Sequence, residues 1–532
     1  AIGYDTAASL VSGVQNTLIG AFSGDALTTG YINTSLGYNT LGALITGHSN
    51  TALGHNAMGS ANGSESKNTA VGHGALATMN ADGDNLNTAV GYNAGTSLTT
   101  GTLNTIIGAL AGDALTTGSY NIAIGQSALS EEDTGSRNIA IGSRALEVLN
   151  FNGNGYNIAI GYDAGVSVTS GVHNTIIGGL SGDAITTGAG NVCVGYNSGG
   201  TLSTGESNIA IGLNALDGED TGSKNVAIGQ SALGALNFDG NGHNVAVGHD
   251  AGKAMTTAVE NTIVGALAGD AITTGGYNTL MGVHAGGGLV EGTDNVAIGW
   301  SALKTENAHG GNVAIGKEAL KTLDAGAEGY NVAIGLVAGK LMTTGTSNTI
   351  IGAFAGDSLT TGNNNVAIGR SALSLEDAHG TNVAVGFATL ANLNAGADAL
   401  NTALGYAAGN LMTTGTFNTL VGGEAGDALT TGVSNVALGY AALSTAQTSN
   451  YNTAIGERAL HLNVNSNRNT ALGFQALYSH TTANATDSYN TAVGYSAGSA
   501  ITTSTENTLI GGLAGDALTT GSANVAVGYL AL

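Results

Sequence analysis

One stretch of the sequence has the spacing of a catalytic motif. Gly494-Tyr495-Ser496-Ala497-Gly498 matches the Gly-x-Ser-x-Gly turn that presents a serine nucleophile in hydrolases. The same five positions read Gly91-Tyr92-Asn93-Ala94-Gly95 and Gly161-Tyr162-Asp163-Ala164-Gly165 elsewhere in the chain. A nucleophile does not exchange with Asn or Asp, so Ser496 reads as one variant of a structural corner, and no catalytic residue is expected. Cation chemistry has a candidate in the Gly-Asp pairs that end at Asp25, Asp113, Asp183, Asp270, Asp357, Asp427 and Asp516. Each is a lone carboxylate, too few oxygens for Ca²⁺ within one chain. They also lack the Gly-Gly-x-Gly-x-Asp calcium repeat. Only three copies converging on a shared axis could make such a site. The 11 His are scattered without a His-x-His pair. The single Cys193 excludes a disulfide scaffold and a Cys-based zinc module. It falls where Ala is usual and reads as a small buried hydrophobe. No metal and no cofactor are expected.

The elements that carry these residues follow from a repeat. Asn-[Thr/Val/Ile]-x-x-Gly occurs 30 times between Asn16 and Asn524, spaced by 17 residues with five gaps of 19, one of 18 and one of 21. The third position after the Asn is Val, Ile or Leu, with Met281 the exception, and the second is mostly Ala. Ala recurs at the seventh position and Leu at the eleventh, as in Leu27, Leu115 and Leu149. Seventeen residues cannot hold a helix together with strands and turns. The expected fold is therefore all-β: a parallel β-solenoid, or β-roll, of about 30 coils, running through residues 1–532 as one continuous array. Stacked coils pair strand on strand and use every backbone N–H, which accounts for the absence of Pro. The Asn column is expected to bond turn backbone or the Asn above and below.

Composition narrows the function. With 36 acidic and 12 basic residues the net charge is −24, and there is no basic patch for nucleic acid or an anionic membrane. No apolar run is long enough to span a bilayer. In Val226-Ala227-Ile228 both strand faces are apolar, and a strand buried on both faces needs a second layer. A coil this small is expected not to cover its own back. The simplest second layer is another copy, with the Ala-rich second position (Ala227, Ala297, Ala314) facing a neighbouring chain or a shared axis.

The fifth position carries Tyr92, Tyr162, Tyr196, Tyr406, Tyr495 and Trp300, with Tyr38, Tyr440, Tyr529, Phe387, Phe474, His55, His73 and His249 in other coils. Such a column could stack sugars, so these six are the candidate surface-binding aromatics. The simpler reading is packing, with the rings of Tyr92 and Tyr162 lying over the small Ala109 and Gly179 of the coils that follow.

Asn-Val-Ala-Ile-Gly, at Asn225, Asn295, Asn312, Asn331 and Asn365, resembles the repeat of trimeric autotransporter adhesin heads. Asn-Thr-Ala-Val-Gly-Tyr, at Asn87 and Asn490, resembles repeats of phage tail-fibre-like proteins. The resemblance covers the whole chain, although the head repeat is usually shorter than this one. It implies a homotrimer of left-handed parallel β-rolls acting in adhesion. The chain is accordingly expected to be a passive extracellular fibre shaft on a cell surface or virion, attaching to a surface glycan or receptor, and, from the absence of a catalytic constellation, not an enzyme.

A second period is superposed. The seven Gly-Asp coils hold Ile or Leu at the second position (Leu18, Ile106, Ile176, Ile263, Ile350, Leu420, Leu509), which groups the coils in fours and fives. The 19-residue coils extend one corner, as in Asn150-Phe151-Asn152-Gly153-Asn154-Gly155. The chain begins and stops within a coil and shows no polar cap, as expected for the repetitive part of a longer fibre. The alternatives are an ice-binding or cation-stabilised extracellular β-solenoid. Thr follows the Asn in 16 copies, but Val or Ile replaces it in the rest, which reads as an interior column.

Overall fold

The computed structural model describes all 532 residues and contains no helix. They form two compact units, Ala1–Ala266 and Leu267–Leu532. Each unit is a parallel β-solenoid in which every Asn motif supplies one three-residue strand, fifteen per unit. The second unit adds a two-residue pair, Ser466–Asn467 with Thr486–Asp487.

Strands pair in parallel with strictly equivalent positions opposite each other, as in Ile209↔Val226, Ala210↔Ala227 and Ile211↔Ile228. The register holds across a 19-residue coil (Val226↔Val245) and across the 21-residue one (Thr470↔Thr491). Insertions are therefore absorbed in the corners. A one-residue slip would turn every interior side chain outward.

The Asn column staples each coil to its neighbours. The Asn208 backbone N–H donates to Asn191 Oδ1 at 2.9 Å, and its own Oδ1 accepts the Asn225 N–H at 2.9 Å. Its Nδ2 donates to the Gly222 carbonyl at 2.8 Å, across the coil. Both expected modes of the Asn column are thus present, in a buried setting where each bond also spares a desolvated backbone group.

Sharp corners come from left-handed backbone. Gly229 takes φ +131°, and a Cβ there would lie 2.4 Å from the Gly248 carbonyl oxygen of the next coil, so only Gly fits. The same coil also holds Lys224, Ser231 and Leu233 at φ +62°, +53° and +50°. Such conformations are costly for L-residues, and the stack enforces them at every level.

The core lies inside each coil. Ala227, Ala232, Leu233 and Leu236 are fully buried within the single chain. This corrects the expected direction of the Ala column: Ala227, Ala297 and Ala314 have no exposure and face their own coil rather than a neighbouring chain or an axis. The reason is width. Opposing walls of a narrow coil leave room for one large side chain, so Leu at the eighth position faces a small second residue, as in Leu233 with Ala227. Coils small at both positions, such as Ala89 with Gly95, receive the large residue of the next coil, with a Cβ at Gly95 only 2.8 Å from Ile106 Cδ1. Gly-Asp coils reverse the sizes: Ile176 fills the interior and Gly182 replaces the Leu, with a Cβ there only 2.8 Å from Ile185 Cδ1. The second period is thus an exchange of volume within a close-packed core.

Candidate functional site

Because the second strand position points inward, the first and third point out. In Tyr156-Asn157-Ile158-Ala159-Ile160-Gly161-Tyr162, Asn157 and Ala159 are buried while Ile158 and Ile160 are half-buried and both tyrosines are exposed. The second unit repeats this with Tyr489, Thr491, Val493 and Tyr495. The outward strand face is thus a sheet of Val, Ile, Leu and Thr, bordered by one column just before the Asn and another at the fifth position. Each coil adds about 4.8 Å of height, and the four columns span about 20 Å, so fifteen coils present on the order of 1,400 Å². The column of Thr17, Thr34, Thr51, Thr69, Thr88 and Thr105 belongs to this face. That corrects the expectation that the position is interior.

The structure places all six candidate aromatics outward, with exposures from 46% for Trp300 to 60% for Tyr406 and Tyr495. They are not equivalent. Tyr92 ends a run of rings, with Tyr38–His55, His55–His73 and His73–Tyr92 centroids 5.2, 5.0 and 5.3 Å apart. Tyr406 and Tyr495 stack on Phe387 and Phe474 at 5.5 and 5.3 Å. The Arg144 guanidinium lies 6.0 Å from the Tyr162 ring, and Lys317 and Lys321 lie 5.3 and 5.6 Å from Trp300. Gly179 is covered by Tyr196, whose Cδ2 would be 3.7 Å from a Cβ there, and not by Tyr162. The rings therefore lean back onto the preceding coil, opposite to the expected direction. Packing and exposure coexist: each ring rests on a neighbour and leaves its other side to solvent.

A further set of residues went unnoticed in the sequence. Glu132, Glu219, Glu306 and Glu376 stand at the eleventh position, in the interior Leu column, each in the coil just before a 19-residue coil. All four are fully buried. Their carboxylates collect backbone donors from their own corner and from the enlarged one that follows: Gly135 N–H to Glu132 Oε1 at 2.7 Å and Gly222 N–H to Glu219 Oε1 at 2.8 Å from the same coil, and Phe151 N–H to Glu132 Oε2 at 3.3 Å from the 19-residue coil. Burial pushes all four carboxyls above the usual range, and these N–H donors oppose it. The irregular 21-residue coil uses the same device with His480, whose Nε2 is 2.7 Å from Ser466 Oγ and which burial pushes down to about 4. An acid in a column otherwise aliphatic but for Asn463 and His480 was the readable signal.

In the second unit two of these glutamates meet a histidine. His309 Nδ1 lies 3.5 Å from Glu306 Oε1, and His379 Nδ1 lies 3.5 Å from Glu376 Oε1. Asp324 joins the first pair and Asp377 the second, with one donor atom from each residue within 4.8 Å of the others.

Ser496 sits at φ +50°, in the same corner conformation as Asn93 and Asp163 at +52° and +55°. Its N–H donates to the Phe474 carbonyl at 2.8 Å, and the chain continues into another corner where a nucleophile elbow would enter a helix. Cys193 is fully buried, and burial pushes its thiol up to about 12. Among the Gly-Asp carboxylates, Asp113, Asp183 and Asp357 are raised by burial, and Asp427 is raised to about 6 by burial and then by Glu424. No helix is long and apolar enough to cross a membrane. No protein-family profile and no curated protein matches the chain.

Proposed function

We propose that this chain is a passive structural shaft of an adhesive fibre, a viral tail fibre or bacterial surface adhesin, assembled extracellularly as a homotrimer and attaching its bearer to a cell-surface glycan or receptor. The observation that carries the reading is the outward strand face. A contiguous apolar patch beyond a few hundred Å² marks an interaction surface, and a stable interface needs roughly 800 Å² per partner. The Val, Ile, Leu and Thr columns alone present roughly 500 Å² in each unit, and the two bordering columns bring the face to the order of 1,400 Å². A second copy is the occupant that matches such a face coil for coil, because it repeats with the same period. The interface then consists of the outward Ile, Val, Leu and Thr columns.

Repetition suits a shaft. Each coil rests mainly on its neighbours, so length grows by copying one unit. A net charge of −24 keeps a large β array soluble and discourages lateral association. Any receptor contact made by the shaft uses the exposed rings of Tyr92, Tyr162, Tyr196, Trp300, Tyr406 and Tyr495, or the 19-residue corners, where side chains depart from the repeat. The test is binding of the purified chain to cells and glycan arrays. Saturable binding lost in Tyr92→Ala/Tyr162→Ala places recognition on the shaft. Hydrolysis of an ester or glycan by the pure chain would refute a passive role.

Ice binding is the second reading, favoured by six consecutive outward threonines, Thr17 to Thr105. Ile122, Ile139 and Ile158 then interrupt the column. Thermal hysteresis abolished by Thr51→Lys and Thr69→Lys would establish it in place of the shaft.

A further inference from the structure

The Glu306–His309 and Glu376–His379 pairs differ from the other buried glutamates in what faces the carboxylate. In the first unit the residue three after Glu132 and Glu219 is Gly135 or Gly222, and the carboxylate simply accepts its N–H. In the second unit the backbone N–H of His309 and His379 still donates, at 3.3 Å in both coils, and an imidazole is added. Both Nδ1 atoms are buried and have no hydrogen-bond partner. Glu376 is fully buried and its Oε2 likewise has none. An imidazole nitrogen and a carboxylate oxygen 3.5 Å apart are held together by either a proton or a metal cation between them, and that separation is what two ligands of one small metal ion adopt.

The third ligand is preserved by exchange. The two clusters are related by 70 residues, and at that spacing Asn307 corresponds to Asp377 and Asp324 to Asn394. The position of the aspartate moves while each cluster keeps two carboxylates and one imidazole. The Asp377 position also holds an aspartate in the first unit, at Asp133 and Asp220, where Gly replaces the imidazole.

We propose that Glu306, His309 and Asp324, and separately Glu376, His379 and Asp377, each bind a divalent first-row transition metal, with Zn²⁺ the best match, pinning the enlarged corner loops of the second unit. One nitrogen and two oxygen donors suit Zn²⁺ or its neighbours, whereas Ca²⁺ and Mg²⁺ take oxygen sets. The ion's charge offsets two carboxylates, one of them fully buried. This departs from the sequence-level expectation of no metal, which counted histidines and missed the Glu three residues before each of these two.

The test is equilibrium dialysis of the tag-free 532-residue chain against zinc at neutral pH, with metal counted by emission spectroscopy. Two zinc ions per chain are expected, one in His309→Gly or His379→Gly, none in the double variant, and no calcium in any of them. Gly is the natural residue at this position in Gly135 and Gly222, so the variants keep the fold, checked by amide exchange of Val296–Ile298 and Val366–Ile368. Zinc should also slow exchange in both corner loops of the wild type alone. No zinc uptake at micromolar free metal, or uptake unchanged in the double variant, overturns the proposal. The pairs would then be imidazolium–carboxylate contacts bridged by a proton.

Discussion

Replacing Asn208 by Ala isolates one rung of the Asn ladder. Ala keeps the backbone bond from position 208 to Asn191 Oδ1. It removes the acceptor of the Asn225 N–H and the donor to the Gly222 carbonyl, at 2.9 and 2.8 Å, in a side chain with no exposure. Orphaning a buried backbone group costs about 1–3 kcal/mol. Two such groups, less relaxation of the corner, give an expected loss of about 3 kcal/mol. Long repeat stacks do not unfold in two states, so the loss is best read locally, as amide exchange in Val192–Val194, Ile209–Ile211 and Val226–Ile228. An opening free energy lowered by about 3 kcal/mol speeds exchange roughly a hundredfold. Thr34–Leu36, in distant coils, should not change. Glu206→Ala, on an exposed neighbouring residue, should fall within about 0.5 kcal/mol. Acceleration under about fivefold at these strands, or equal acceleration at Thr34–Leu36, would refute the ladder as the main tie between coils.

Two further outcomes follow from single positions. Gly229→Ala forces a side chain into φ +131° with a Cβ 2.4 Å from the Gly248 oxygen, so a loss of about 3 kcal/mol or more is expected in local exchange around Gly229; Gly326→Ala, where a Cβ meets nothing within 4 Å, is expected to cost far less. Asp427 has a folded pKa of about 6 against 3.8, so its cost is absent below 3.8, grows as pH rises to about 6 and is complete above that. Asp427→Asn should therefore stabilise its coil at pH 7.5 by about 1–2 kcal/mol, a ceiling near 3 reduced for its partial exposure, and do nothing near pH 3.5; a gain at low pH or none at pH 7.5, by amide exchange in Thr419–Val421 and Val436–Leu438 at each pH, would contradict this.

The coil, its period and its Asn ladder were legible because stacking imposes the same constraint at every level. Asn16 and Asn507 solve one problem, and repetition makes the solution visible. The facing of the strand was not read correctly. Val226-Ala227-Ile228 is apolar on both sides, and alternation alone does not say which side is inside. The missing clue was reciprocal size: Ile176 occurs with Gly182 and Ala227 with Leu233, which means that the two positions share one interior space. The buried glutamates were missed for another reason. Glu132 looks like any loop acid until it is aligned with Leu115 and Leu149 in the column it occupies. The meeting of His309 with Asp324 crosses from one coil to the next, and no spacing within a single coil reveals it.

The proposal of a homotrimer built on the outward strand face is tested most directly by the native mass of the purified chain. Sedimentation equilibrium at micromolar concentration should give about three times the 51.9 kDa chain mass. Ile158→Lys/Ile160→Lys, which places charges on the half-buried outward columns, should shift the mass toward a single chain while the Asn157 rung stays protected. A wild-type mass of one chain, or a trimer indifferent to these lysines, would contradict assembly through this face.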